Sequence, residues 1–413
     1  MNARVETEAL VVGAGPAGST FAHRLASAGH SVLLAEEHLR VGHPVQCAGL
    51  VSPRVVPMAG TDAMVENEIR GAAIYSPRGR ALRFEAPEAR ALVLSRSRLD
   101  QLLAERAARA GARVEAGWKF LGLVPGGASG LPIAAFRTAD GDRVEVIAKL
   151  LVGADGVTSA VARAFHLRRP VEILPAYEAE LPWPGLDPAR VEVYLGRELA
   201  PGLFGWAVPD GSGIARVGVA VRADTGRTAR DYYLALLHSI EARTGRTLGS
   251  PVSVVVAGIP IGDVPRTEGD HVLLVGDAAG QVKPLSGGGI YTGMRSAEIA
   301  AEVSHGALVR GDLSSRGLAA YGHRWREELG EEFRRAWFLR RLFLRLSDED
   351  FERLLTLLED EGLLSSIVAF GDIDFPTLTA RELLARSPAL VRYFPKALGA
   401  WFAGSSPRAP ALD

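Results

Sequence analysis

The chain has 413 residues, 47 basic against 48 acidic side chains, a net charge of -1, 46 glycines, 24 prolines and one cysteine. A single thiol excludes an intramolecular disulfide or a multi-cysteine zinc site, and a balanced charge supplies no basic field for nucleic acid. At about 150 residues per domain the length predicts two or three domains around a large core.

The uncharged runs Phe120 to Phe136 and Thr247 to Gly262 are broken by glycine and proline. Both fall short of the roughly 20 apolar residues of a spanning helix. The start, Met1 to Glu8, leads into a strand pattern with no charged-then-apolar leader, so a cytoplasmic protein is expected. Lys119, Lys149, Lys283 and Lys396 are the lysines, and the surplus of arginine reads as a coding bias.

Glu8 to Val12 predicts a buried strand and Ser31 to Ala35 a second one, with a helix carrying Phe21 and Leu25 between them. This is a βαβ opening. Its turn is GxGxxG: Gly13 makes the tight bend, Gly15 lets backbone beside Pro16 and Ala17 approach a pyrophosphate, and Gly18 lets helix and strand pack closely. The helix N-terminus offers unpaired N–H groups to phosphate. Glu36, ending the second strand, is placed to accept from ribose hydroxyls. A long Gly/Pro stretch from Val41 to Gly60 reads as a functional loop.

Gly71 to Phe84 predicts a hairpin turning at Pro77 to Gly79, and Ser97 to Ala110 an amphipathic helix presenting Leu99, Leu103 and Ala107. From Ala112 to Leu151 the pattern is a β meander with turns at Pro125 to Gly127 and Asp140 to Gly141. Leu151 to Gly156 is an apolar strand ending in Asp155 and Gly156, where the carboxylate serves a cofactor or caps the next helix. Residues near 170 to 260 are β-rich with one helix, Ala229 to Thr244. His271 to Gly276 predicts a further apolar strand, followed by Asp277, the cluster Gly287, Gly288 and Gly289, and a long helix from Ile290. Beyond about residue 315 the chain is helical and stops in a Ser/Pro/Ala tail.

Three glycine-rich turns in this order, with Arg96 ahead of the second long helix, make the chain resemble the flavoproteins related to aromatic hydroxylases over nearly its whole length. The resemblance implies FAD. Gly13, Gly15, Pro16, Ala17, Gly18, Glu36, Arg96, Asp155, Gly276 and Asp277 would then hold its phosphates, ribose and ribityl chain. Gly287, Gly288 and Gly289 would let backbone and a helix N-terminus lie against the ring, whose reduced form is anionic.

Within that group, Gly42 to Gly49 (GHPVQCAG), Ala200 to Pro209 (APGLFGWAVP) and Lys283 to Gly289 (KPLSGGG) resemble the geranylgeranyl reductase family, as do Leu346 to Asp350 and Phe370 to Pro376. Phe204 stands where that family has tyrosine and Val208 where it has phenylalanine. The resemblance implies saturation of isoprenoid C=C bonds by reduced FAD. Cys47 would be the proton donor or a wall group positioning the alkene, with Phe204, Trp206 and Pro209 as an apolar wall for the lipid. Cys47 and Trp206 are the catalytic candidates. The alternative is a monooxygenase or halogenase on the same fold, since the Phe204-x-Trp206 spacing matches a halogenase motif. A flavin-binding redox sensor without turnover is a third reading.

The expected architecture is mixed α/β and α+β. Residues 1–70, 91–165 and 265–330 form a discontinuous Rossmann-like FAD domain, 71–90 and 166–264 an antiparallel substrate domain, and 331–413 a helical end. No second βαβ unit offers a nicotinamide site, so NADPH, a ferredoxin or a deazaflavin stays open as electron donor. Arg334 to Leu346 sets Leu339, Leu342, Phe343 and Leu346 on one helical face and Arg334, Arg341 and Arg345 on another. That face either rests on the inner surface of a membrane or packs on the protein.

Overall fold

A computed structural model describes residues 3–125, 130–168, 170–262, 264–360 and 363–387. Part of the expected turn at Pro125 to Gly127 and the Ser/Pro/Ala tail lie outside the described residues. Two large sheets and a small one organise the rest.

The first sheet is 8-stranded. At its centre Ala3–Val12 runs parallel to Val32–Glu36 on one side and to Arg143–Gly153 on the other. Arg113–Ala116 extends it beyond Val32–Glu36, and Val272–Leu274 beyond Arg143–Gly153, both parallel. Alternation at period two divides the central strand between two cores. Ala9 and Val11 meet helices Pro16–Ser27 and Ile290–Arg310, while Leu10 and Val12 meet Phe136, Phe120 and Trp118. The meander expected from Ala112 holds only from Lys119 onward. Arg113–Ala116 follows helix Arg96–Arg109 and joins the parallel sheet, because a helical connection returns the chain in the same direction.

The second sheet is 7-stranded, in the order Ser253–Ile261, Glu172–Pro182, Ile214–Ala220, Gly205–Pro209, Arg190–Tyr194, Gly71–Tyr75, Ala81–Glu85. It is antiparallel except where Arg190–Tyr194 runs parallel to Gly71–Tyr75. Helix Ala229–Thr244 covers one face, and its first residue is fixed by a capping box between Thr228 and Asp231. Ala179, Leu181, Val217 and Val219 pack beneath it. The opposite face looks toward the first sheet. The small sheet, Leu50–Val51, Ala91–Leu94 and Val65–Ile69, lies between the Cys47 loop and helix Arg96–Arg109.

Five helices from Ser315 to Arg386 complete the described chain. In Gly330–Phe343 the deepest residues are Glu332, Ala336 and Arg340. The apolar face expected there is only partly covered: Leu346 is buried, whereas Leu339, Leu342 and Phe343 are half-buried. Polar partners explain the inversion. Arg340 donates to the Gly202 carbonyl at 2.8 Å and to Glu172 at 3.0 Å, and Glu332 accepts from the Thr377 hydroxyl and N–H.

Candidate active site

A cavity of about 510 Å³ lies where the two large sheets face each other. One end is backbone. Gly15, Pro16 and Ala17 of the first turn, Gly276 and Asp277, and Gly287 to Gly289 all line it.

The glycines are there for spatial reasons. A Cβ on Gly13 would sit 2.4 Å from the Ala154 carbonyl oxygen, and one on Gly18 would sit 2.0 Å from the Gly13 oxygen. These two residues let strand, turn and helix touch and do not line the cavity. Gly15 differs, since a Cβ there would meet nothing within 4 Å. It heads helix Pro16–Ser27 with no side-chain cap, so free N–H groups face open space. Glu36 closes the turn from the side, accepting from the Ala14 N–H at 2.9 Å and from His38 Nδ1 at 2.6 Å. A carboxylate has about four acceptor positions, which leaves room for a ribose hydroxyl.

Arg96, the first residue of its helix, reaches the cavity and donates to Asp100 at 3.1 Å. Burial works against its charge, and Asp100 with the Cys47 sulfur beside it more than restores it. Among the described residues its Nε has no partner, nor does the buried hydroxyl of Ser286. The Asp277 carboxylate also lacks a hydrogen-bond partner among the described residues, and burial raises its pKa against the opposing pull of Arg96. Orphaned polar groups beside a backbone cradle fit a flavin dinucleotide. Asp155 is placed differently. Its carboxylate accepts from Ser159 Oγ at 2.6 Å and from the Ala160 and Val161 N–H groups, capping helix Ala160–Ala164, and it does not line the cavity.

The other end is apolar side chain. Val191, Val193, Phe204, Trp206, Val208, Val255, Ala257 and Ile259 form the wall, with Cys47 and Ala48 also lining the cavity and Ala48 packed in one cluster with Trp206 and Val208. Pro209 stands just outside, its carbonyl accepting from Asn67. Trp206 lies flat against backbone: a Cβ on Gly218 would be 2.5 Å from its ring. Phe204 meets Trp206 edge to face at 6.3 Å between centroids.

Three groups here escaped the sequence reading. Glu178, 4% exposed, accepts from Trp206 Nε1 at 2.6 Å. Burial raises its pKa to about 7, against the Trp206 hydrogen bond. Arg216 joins the sheet to the cysteine loop, donating to the Ala48 and Leu94 carbonyls at 2.8 and 2.9 Å and to Glu180 and Glu66. Ile373 enters the cavity from the C-terminal helices because Lys283 donates to its carbonyl and to Asp374 Oδ1, both at 2.8 Å, while Arg54 holds Asp372 and Asp374. The signal for Glu178 and Arg216 was misleading. In Ala176 to Leu181 the polar residues Glu178 and Glu180 alternate with apolar ones, and Arg216 stands between Ala215 and Val217, so each reads as the solvent face of a strand. Here both faces of these two strands are covered, one by helix Ala229–Thr244 and the other across the cavity, while Val254 and Val256 of the edge strand stay exposed.

Comparison with known proteins agrees with this geometry. Residues 6–332 match the family described as FAD binding domain. The digeranylgeranylglycerophospholipid reductase of Methanothrix thermoacetophila is 36% identical over 365 residues, covering 86% of this chain and 92% of that protein. A geranylgeranyl bacteriochlorophyll reductase-like protein from Thermoplasma acidophilum superposes with a TM-score of 0.83 at 26% identity, covering 97% of this chain and 99% of that one. A flavin-dependent brominase shares the fold at a TM-score of 0.70 and 16% identity, over 92% of this chain and 99% of its own.

Proposed function

This chain belongs to the FAD-binding-domain family and, within it, to the digeranylgeranylglycerophospholipid reductases, and from that premise we propose that it saturates C=C bonds of a geranylgeranyl lipid. The observation that carries the reading is the single cavity that is backbone and glycine at one end and apolar side chain with Cys47 at the other. Bound FAD, once reduced, supplies hydride. Gly15 and the N-terminus of its helix would hold the pyrophosphate, Glu36 and Arg96 the ribose and phosphate side, and Asp277 a ribityl hydroxyl, with Gly287 to Gly289 offering backbone to the ring.

The remaining side chains position the alkene. Trp206 and Phe204 give a rigid apolar wall, with Val255, Ala257 and Ile259 continuing it along the edge strand. Cys47 lines the same cavity, beside Arg96, on a loop that Arg216 anchors through Ala48. Ile373 lines the same cavity as the glycine cluster and adds apolar surface there. An insoluble substrate favours work at a membrane surface. No helix among the described residues is long and apolar enough to cross one. The exposed Arg334 and Arg345 of the C-terminal helices suit anionic headgroups at such a surface. The electron donor is external: NADPH, a ferredoxin or a deazaflavin.

The test is anaerobic. The FAD-loaded protein is reduced with dithionite and mixed with a digeranylgeranylglycerophospholipid, and flavin reoxidation is followed together with product mass. The expected result is reoxidation with a gain of two hydrogens per bond reduced. Reoxidation only by oxygen, with hydroxylation or halogenation of an aromatic, would replace this reading with the one suggested by the Phe204-x-Trp206 spacing.

A further inference from the structure

Resting on the reductase reading, we propose that Glu178 is the catalytic acid that delivers the proton to the alkene, with Cys47 in the same cavity as a positioning group. An isolated trisubstituted alkene is a poor hydride acceptor, so a proton must arrive before or with the hydride. Among the described residues two glutamates line the apolar end: Glu192 turns its carboxylate to Tyr75, Tyr194 and Arg243 on the other face of the sheet, which leaves Glu178, on the same wall as Trp206 and Val255, as the carboxyl group set into it.

Its two oxygens have different surroundings. Oε2 accepts the Trp206 indole N–H at 2.6 Å, while Oε1 has no hydrogen-bond partner among the described residues. Trp206 is in turn fixed by the bare backbone of Gly218. One oxygen is therefore held while the other carries the proton on the cavity wall. Other charges surround it. Arg216 and Glu180 stand on the neighbouring strand and its own, and Arg96, Asp277 and Lys283 line the cavity with the Cys47 thiol, while the Glu192 carboxylate is held by Arg243 on the other face of the sheet. Arg216 is shared with Glu180 and Glu66, so it does not neutralise Glu178 outright. Burial then favours the protonated form, and a pKa of about 7 suits an acid that must give and regain its proton near neutrality.

In one turnover the Glu178 O–H bond breaks, leaving its electron pair on the carboxylate. The alkene π pair forms a C–H bond to that proton, and hydride from reduced flavin forms the second. The alkene gains two hydrogens and the flavin is oxidised by two electrons. The carboxylate, held by Trp206, is reprotonated from solvent.

Stopped-flow reoxidation of dithionite-reduced holoenzyme by a digeranylgeranyl lipid, taken from about pH 5 to 9, tests this. In the wild type the rate should be level below about 7 and fall tenfold per pH unit above it. Trp206→Phe should move the break to higher pH, because the carboxylate loses a hydrogen bond. Glu178→Gln should keep flavin and lose about 10²- to 10⁴-fold in rate. Infrared spectra of the oxidised holoenzyme give a readout apart from turnover: a carboxylic-acid C=O band that titrates near neutrality and is missing in Glu178→Gln. A Glu178→Gln rate within threefold of wild type overturns the proposal, as does a pH break that stays put in Trp206→Phe or an absent band. If wild type reduces no polyprenyl lipid while the band titrates as expected, the reductase reading itself has failed and the assignment of the acid falls with it.

Discussion

The two ends of the cavity are built by different means. The cofactor end is backbone: three glycine turns, each contiguous in sequence, present N–H groups and bare Cα atoms. The substrate end is side chain, gathered from strands at 172–182, 190–194, 205–209 and 253–261, a loop at 42–49 and a segment at 371–375. Recognition of a pyrophosphate needs only local geometry, so it is encoded locally. Recognition of an apolar chain needs a wall, and a wall can be assembled from anywhere.

That difference can be broken at either end, and the largest effect should come from the backbone. Gly18→Ala puts a Cβ 2.0 Å from the Gly13 oxygen. It should abolish flavin retention and cost about 4 kcal/mol or more of stability, read by visible absorbance and denaturant unfolding. Asp374→Ala strands the Lys283 ammonium, whose side chain is 6% exposed. It should cost about 3–5 kcal/mol and make the segment around Ile373 sensitive to protease, with an apolar replacement of both partners recovering most of the loss.

Glu178→Gln acts through pH. The folded pKa of about 7 lies above the ordinary 4.5, so the folded protein keeps a proton that the unfolded chain releases between those values. The stability this contributes is complete below about 4.5 and is lost as pH rises through about 7. Glutamine is neutral throughout, so the variant should gain on wild type between roughly pH 5 and 8, by at most about 3 kcal/mol, in denaturant titrations of the FAD-loaded protein. Gly218→Ala pushes on the Trp206 ring and should cost about 1–3 kcal/mol. It should slow lipid-dependent reoxidation while leaving flavin content unchanged, which separates the two ends directly. The smallest effect belongs to Asp155→Ala, which removes a helix cap worth about 1 kcal/mol and should leave flavin in place. Loss of flavin there would return Asp155 to the cofactor end.

Legibility followed the same division. The turn at Gly13 to Gly18, the strand-helix order around it and helix Ala229–Thr244 with its Thr228 cap could all be read from neighbours in sequence. Asp155 could not be settled that way, because a carboxylate after a strand serves a helix N-terminus as well as a ribose, and only the placement of Ser159, Ala160 and Val161 chose. Glu332 and Arg340 likewise became interior residues only when Thr377, Glu172 and the Gly202 carbonyl arrived to satisfy them.

By itself, then, the sequence determined the parts in which backbone conformation is the function: glycine turns, the helix N-termini they expose, the family they mark and the lone Cys47 within its loop. Tertiary structure alone decided which alternating polar residues of the strands would be buried. Glu178 and Arg216 sit at positions that would face water in a sheet covered on one side. Because the first sheet, the cysteine loop and the Ile373 segment close over the second face, the same spacing puts Glu178 on an apolar cavity wall, where desolvation makes it an acid rather than a surface charge.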